Sequence, residues 1–105
     1  MQFQFNTDHN ITGDDRLRAV SEEIVSAELG HLAQRLSRIE VHLADENAQK
    51  GGADDIRCTI EARPEGLQPL SVIHHEGEIK AALRGAAKKL HSRLENEFGR
   101  LGGRR

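Results

Sequence analysis

Ile56-Arg57-Cys58-Thr59-Ile60-Glu61-Ala62-Arg63 alternates without a break: every even-numbered position is apolar and every odd-numbered one is polar. Side chains on a β-strand point to opposite faces with a period of two, so this run reads as a strand that buries one face and wets the other. Ile39-Glu40-Val41-His42-Leu43 alternates in the same way, and Asp45-Glu46-Asn47-Ala48-Gln49-Lys50-Gly51-Gly52 between the two is turn-rich. Two half-buried strands joined this way predict an antiparallel sheet covered on one side only.

Working outward, Gln2-Phe3-Gln4-Phe5-Asn6 has the same period and predicts a strand near the N-terminus. Thr12 offers an N-cap, with Asp14 and Asp15 in the first turn of a helix on which Leu17, Val20, Ile24 and Ala27 recur at helical spacing. Gly30 blurs the end of that helix before residue 35. Pro64-Glu65-Gly66 predicts a tight turn into a fourth strand over residues 68–75. A last helix follows from Glu78 to Leu101. The order is β-α-β-β-β-α, an α+β fold in which a four-stranded, mostly antiparallel sheet carries two helices on one face.

In this arrangement Phe3, Phe5, Ile39, Val41, Leu43, Ile56, Cys58, Ile60, Ala62 and Val72 form the sheet's side of the core. Glu40, His42, Arg57, Thr59, Glu61 and Arg63 fall on the other face, where mixed charges can pair across strands. The expected domain spans residues 1–101, and 102–105 form a flexible basic tail. At 105 residues the chain is long enough for one modest core and too short for two.

The charge is not evenly spread. Residues 1–62 hold 6 Lys and Arg against 12 Asp and Glu, whereas residues 63–105 hold 9 against 5. The basic half centres on the last helix, EIKAALRGAAKKLHSRLENEFGRL. At about 100° per residue, Ile79, Leu83, Ala86, Leu90, Leu94 and Leu101 share a stripe, with Ala87 and Phe98 at its edge. Lys80, Arg84 and Lys88 step along one border beside His91, and Lys89, Arg93 and Arg100 line the other. A charged helix face is commonly only a solvated one. Here, however, like charges at i, i+4 and i+8 oppose the helix by about 0.2–0.5 kcal/mol per pair, which makes the six cations candidates for contact with a polyanion.

Other chemistry finds little support. Met1 to Asn6 lacks the basic and apolar regions of a signal peptide, and no apolar run approaches the ~20 residues of a membrane span. Cys58 is the sole cysteine, which fits a reducing cytoplasm, and its inward parity makes it a buried small hydrophobe rather than a nucleophile. His9, His31, His42, His74, His75 and His91 show no metal-ligand spacing, and adjacent His74 and His75 must face opposite ways in a strand. Gly51-Gly52 is not a phosphate loop, and Asp45-Glu46 and Asp54-Asp55 read as solvated carboxylates. No active site, metal or cofactor is expected.

The element order and the stretch from His74 to Leu101 resemble the ribosome hibernation promoting factor family, also called ribosome-associated inhibitor or sigma-54 modulation proteins. Within that stretch Ala81-Ala82-Leu83 and Lys89-Leu90 fit the family's last helix, and IEVHLADE from Ile39 to Glu46 is similar to its second strand and following loop. Lys89 matches a basic position of the family and Arg93 lies beside another. Lys80 stands where relatives often have an aromatic, Arg84 and Lys88 where they have acids, and Glu95 and Glu97 where they are often basic. Because the chain stops at Arg105, the resemblance is to the short form.

The resemblance implies a non-enzymatic, cytoplasmic factor, monomeric off the ribosome. It would bind the small ribosomal subunit and its rRNA in the path of mRNA and tRNA and inhibit translation under stress or in stationary phase. No membrane and no small-molecule substrate are expected as partners. RNA contact is expected from Lys80, Arg84, Lys88, Lys89, Arg93 and Arg100. The alternatives are a protein-interaction module or a small metal- or ligand-binding module on the same fold.

Overall fold

The computed structural model describes residues 1–46 and 55–103. Its elements run β1 (Gln2–Thr7), α1 (Asp15–Leu29), a 3₁₀ segment (Gly30–Arg35), β2 (Leu36–Asp45), β3 (Ile56–Pro64), β4 (Leu70–Glu76) and α2 (Ile79–Gly103). The sheet order is β1-β2-β3-β4. β1 runs parallel to β2, and the β2–β3 and β3–β4 pairs are antiparallel, so the expected fold is met with a mixed sheet. The loop anticipated after β2 lies outside the described residues from Asn47 to Asp54, as do Arg104 and Arg105; α2 itself continues through Gly103.

The register sets the core in rows across the strands. Phe3, Ile39, Ala62 and Leu70 make one row, Phe5, Val41, Ile60 and Val72 the next, and Thr7, Leu43, Cys58 and His74 a third. Ile39, Val41, Leu43, Cys58, Ile60 and Ala62 are fully buried. The reverse face is polar and self-paired: Arg38 Nη2 donates to Gln4 Oε1 at 2.6 Å, Asn6 Nδ2 donates to Glu40 Oε2 at 2.9 Å, and Arg57 meets Glu46 Oε2 at 3.1 Å. His75 meets the other oxygen of Glu46 at 3.0 Å.

α1 departs from expectation in two respects. Its N-cap is Asp14, not Thr12: the Asp14 carboxylate accepts the Leu17 N–H at 2.9 Å from an extended backbone. Residues before it are held in a turn in which Thr7 Oγ1 donates to the Ile11 carbonyl and buried Ile11 plugs into the core. The buried stripe is Ser21, Val25 and Leu29, while Leu17, Val20 and Ile24 are half-buried and Ala27 is exposed. The helix is rotated because it packs against α2 as well as the sheet, and small Ser21 and the small Ala82, Ala86 and Ala87 of α2 are all buried. Gly30, at φ 57°, ends α1 in the left-handed region that glycine adopts without strain. The Pro64-Glu65-Gly66 turn forms as expected, with Gly66 at φ 80° and the Leu67 N–H on the Pro64 carbonyl.

α2 crosses β3 and β4 and lies beside α1. Leu83, Leu90 and Leu94 are fully buried, each contributing roughly 1.5–3 kcal/mol of hydrophobic transfer. Phe98 is also buried, with the Arg35 guanidinium 3.5 Å from its ring centroid. Leu101, expected on the buried stripe, is 45% exposed because α2 outruns the apolar rows beneath it. Gly85 sits in mid-helix, where glycine costs about 1 kcal/mol relative to alanine. A Cβ at that position would overlap the ring of His74, which reaches under the helix from β4 and pairs with Glu76 at 2.9 Å.

Two outcomes check this packing. Ile60→Asp should unfold the domain by burying an unpaired carboxylate, whereas Thr59→Asp, on the polar face, should lower the melting temperature only slightly; similar melting curves would contradict the register. Gly85→Ala, ordinarily stabilising in a helix, should destabilise by about 1–3 kcal/mol because the His74 ring is overpacked. In a His74→Ala background the same change should become stabilising, and thermal denaturation of the four-member cycle reads the sign reversal.

Candidate nucleic-acid interface

All six expected RNA contacts lie on α2, but the structure does not gather them into one site. Packing of Ala82, Leu83, Ala86, Ala87, Leu90 and Leu94 against the sheet and α1 fixes the rotation of the helix, and the cations emerge on both sides of that stripe. Lys80, Arg84 and Lys88 are exposed along an outer ridge, spaced by about 6 Å per step of four residues. His91 flanks the ridge half-buried, with Nδ1 3.4 Å from Glu95 Oε1. Glu28 of α1 lines a shallow depression with Lys88, His91 and Ser92.

Lys89 and Arg93 project on the opposite border, over β4. The Lys89 ammonium donates to the Ile73 carbonyl at 2.8 Å. Both residues line a groove of about 600 Å³ between α2 and β4, together with Ser71, Ile73, Ser92 and Asn96, and Lys88 at the crest of the helix borders it as well. Arg100 stands apart near the end of the helix, 3.7 Å from Glu97. Among the described residues, none of Lys80, Arg84, Lys88, Lys89 and Arg93 forms an ion pair with a carboxylate. Five unneutralised cations on one helix make an electropositive strip suited to successive phosphates.

The sequence reading identified the two basic borders but missed the groove. Its traces were present: Lys89 and Arg93, like Ser92 and Asn96, are one turn apart, and Ile73 has the outward parity of β4 yet is apolar. Ile73 is 50% exposed. Nothing in the chain alone showed that this strand would be the sheet edge beneath α2.

The remaining candidates resolve individually. His74 and His75 do face opposite ways, the first under α2 and the second toward Glu46. Among the described residues no group of three His, Cys, Asp or Glu side chains is placed to hold a metal ion. No described helix is long and apolar enough to cross a membrane. Cys58 is fully buried, and loss of solvation pushes its thiol up from 9.0 to about 12, so it stays protonated at neutral pH.

No protein-family model and no curated protein matches the sequence. Solved structures do share the fold. The N-terminal domain of Protein Y from Thermus thermophilus superposes with a TM-score of 0.70 at 19% identity, covering 92% of this chain and 99% of that one. A ribosomal subunit interface protein from Coxiella burnetii superposes with a TM-score of 0.74 at 11% identity, covering 94% and 99%. The chain is thus similar in fold, over nearly its whole length, to the class of small α+β domains that these two proteins represent.

The buried thiol gives a sign-defined test. The folded protein keeps Cys58 protonated where the unfolded chain, with a thiol near 9, has lost the proton. Stability from this group is therefore whole below pH 9 and falls as pH rises toward 12. The unfolding constant should gain up to about tenfold per pH unit in that window relative to Cys58→Ala. Denaturant titrations of both proteins from pH 8 to 11 measure the difference.

Proposed function

We propose that the chain is a ribosome-associated factor that binds rRNA of the small subunit in the path of mRNA and tRNA, and thereby inhibits translation in stress or stationary phase. The observation that carries this reading is the strip of exposed cations on α2 without carboxylate partners among the described residues. Support comes from the fold shared with a protein described as a ribosomal subunit interface protein. Lys80, Arg84, Lys88, Lys89, Arg93 and Arg100 are the proposed contacts. They act on phosphates and on RNA shape rather than on base edges, because an A-form helix hides its base edges in a deep, narrow major groove and leaves phosphates and 2′-hydroxyls within reach of surface cations. The reading makes the protein a binding factor rather than an enzyme and places it in the cytoplasm, where its partner is found.

Co-sedimentation with small subunits at several salt concentrations tests this. Each phosphate contact releases counterions, so Lys89→Ala or Arg93→Ala should weaken binding and reduce the salt slope by about one unit per lost contact. Replacing Lys80, Arg84 and Lys88 together with Glu should nearly abolish binding while circular dichroism stays native, since all three are exposed. A triple variant that binds as tightly as the parent at ~0.1 M salt, where exposed charges act over about 10 Å, defeats the proposal.

A further inference from the structure

The sheet has two edges, β1 and β4, and a single basic side chain guards each. At β1, Arg18 Nη2 donates to the Phe3 carbonyl at 3.2 Å. At β4, Lys89 Nζ donates to the Ile73 carbonyl at 2.8 Å. Basic residues at sheet edges are a general defence against strand addition. The two guards are not equivalent, however. Arg18 is also held by Glu22 at 3.5 Å and lies over the Phe3 ring at 5.6 Å, whereas Lys89 has no carboxylate partner among the described residues and can swing away.

The Ile73 carbonyl faces away from β3, so Thr59 and Ile73 form a non-hydrogen-bonded pair of the antiparallel ladder. By the alternation of such a pair, the N–H and C=O groups of Ser71, Ile73 and His75 also face outward. All three residues are exposed. The edge therefore presents donors and acceptors in strand register, beneath a helix that forms the groove's second wall and contributes Lys88, Lys89 and Arg93 with no carboxylate among the lining residues.

We infer that the β4–α2 groove is a docking site for an extended acidic segment of a partner protein, which adds as a strand to β4 and pairs its carboxylates with Lys89 and Arg93. An incoming strand N–H takes the place of the Lys89 ammonium on the Ile73 carbonyl, and the released ammonium meets an acidic side chain of the same segment. Half-exposed Ile73 receives an apolar neighbour from the alternate face of the added strand. Charge complementarity selects an acidic occupant. The edge itself favours a peptide over a nucleic acid, because a phosphate group only accepts hydrogen bonds and would set acceptor against acceptor at the Ile73 carbonyl, whereas a strand supplies N–H and C=O groups at the spacing of the edge. The groove shares Lys88, Lys89 and Arg93 with the RNA reading, whereas Lys80 and Arg84 of the outer ridge lie outside it.

The test uses the full chain and a capped heptapeptide of alternating Glu and Val, with a Lys–Val analogue, a Glu–Pro analogue that cannot pair as a strand, and a single-stranded uridine heptanucleotide. Fluorescence anisotropy should detect the Glu–Val peptide but neither the Lys–Val nor the Glu–Pro analogue, and amide NMR should place its largest shifts at Ser71, Ile73 and His75, edge amides that the oligonucleotide leaves unshifted. Ile73→Pro removes one outward N–H without breaking the ladder to β3 and should weaken binding about tenfold, the loss expected for one main-chain hydrogen bond. Should that variant misfold, Ile73→Glu keeps the backbone and opposes the acidic strand, and should weaken binding by at least as much. Lys80→Gln with Arg84→Gln should change peptide affinity by less than about twofold, being outside the groove. Equal binding of the Glu–Pro analogue would reduce the effect to undirected charge attraction and overturn strand addition. No Glu–Val binding at ~1 mM, the weak end of measurable affinity, overturns it as well. So does an oligonucleotide that shifts the three edge amides while the peptide does not.

Discussion

The contact between the buried stripe of α2 and the apolar rows of β3 and β4 determines most of what this molecule presents to its surroundings. Leu83, Leu90 and Leu94 leave water completely, as do the small Ala82, Ala86 and Ala87, and α1 lies alongside the helix. With that stripe pinned, helical periodicity leaves no freedom in where the charges go. Lys80, Arg84 and Lys88 must lie on the outer ridge and Lys89 and Arg93 must overhang the edge strand. Repacking the stripe would rotate both basic borders at once, so the candidate site is a consequence of the core rather than an addition to it.

That coupling explains which parts were legible in the sequence. Period-two alternation in Ile56–Arg63 and Ile39–Leu43 settles the face of every residue in the central strands, because a slip of one residue would turn the whole apolar set to water. The stripe of α2 was legible for the same reason, except at Leu101, where the sheet below it ends. α1 was harder. Its burial is shared between a sheet and a neighbouring helix, so Ser21 at the crossing is buried while Ala27, apolar by type, is exposed. The N-cap slipped from Thr12 to Asp14 because the turn from Asp8 to Ile11 is set by its own hydrogen bonds, including the Asn10 N–H on the Asp8 carboxylate at 3.0 Å. The β4–α2 groove depends on which strand ends the sheet, a tertiary fact that no local pattern encodes.

The charge separation also acquires a direction. α1 carries Asp15, Glu22, Glu23 and Glu28 against Arg16 and Arg18, and it lies alongside a helix whose excess is positive. At ordinary ionic strength the two fields overlap only within about 10 Å. A polyanion approaching from the side of α1 is therefore repelled, whereas one approaching α2 from the outer ridge or from β4 is drawn in. Acidity on α1 orients an encounter that the cations of α2 alone would leave loosely aimed.

The groove owes its shape to two contacts one residue apart on β4 and one turn apart on α2. His74 occupies the space where a side chain at Gly85 would stand, and the Ile73 carbonyl holds the ammonium of Lys89. The first contact sets how deeply the helix sits over the strand, because the ring admits nothing larger than hydrogen at that position. The second lays the flexible Lys89 side chain across the strand edge and covers its outward carbonyl. The packing at Gly85 persists when the Lys89 ammonium leaves the Ile73 carbonyl, so the helix wall stays in place while the strand edge is uncovered. The mid-helix glycine, unfavourable by its own propensity, is thus the residue that lets the edge strand and the basic helix stand at a working distance.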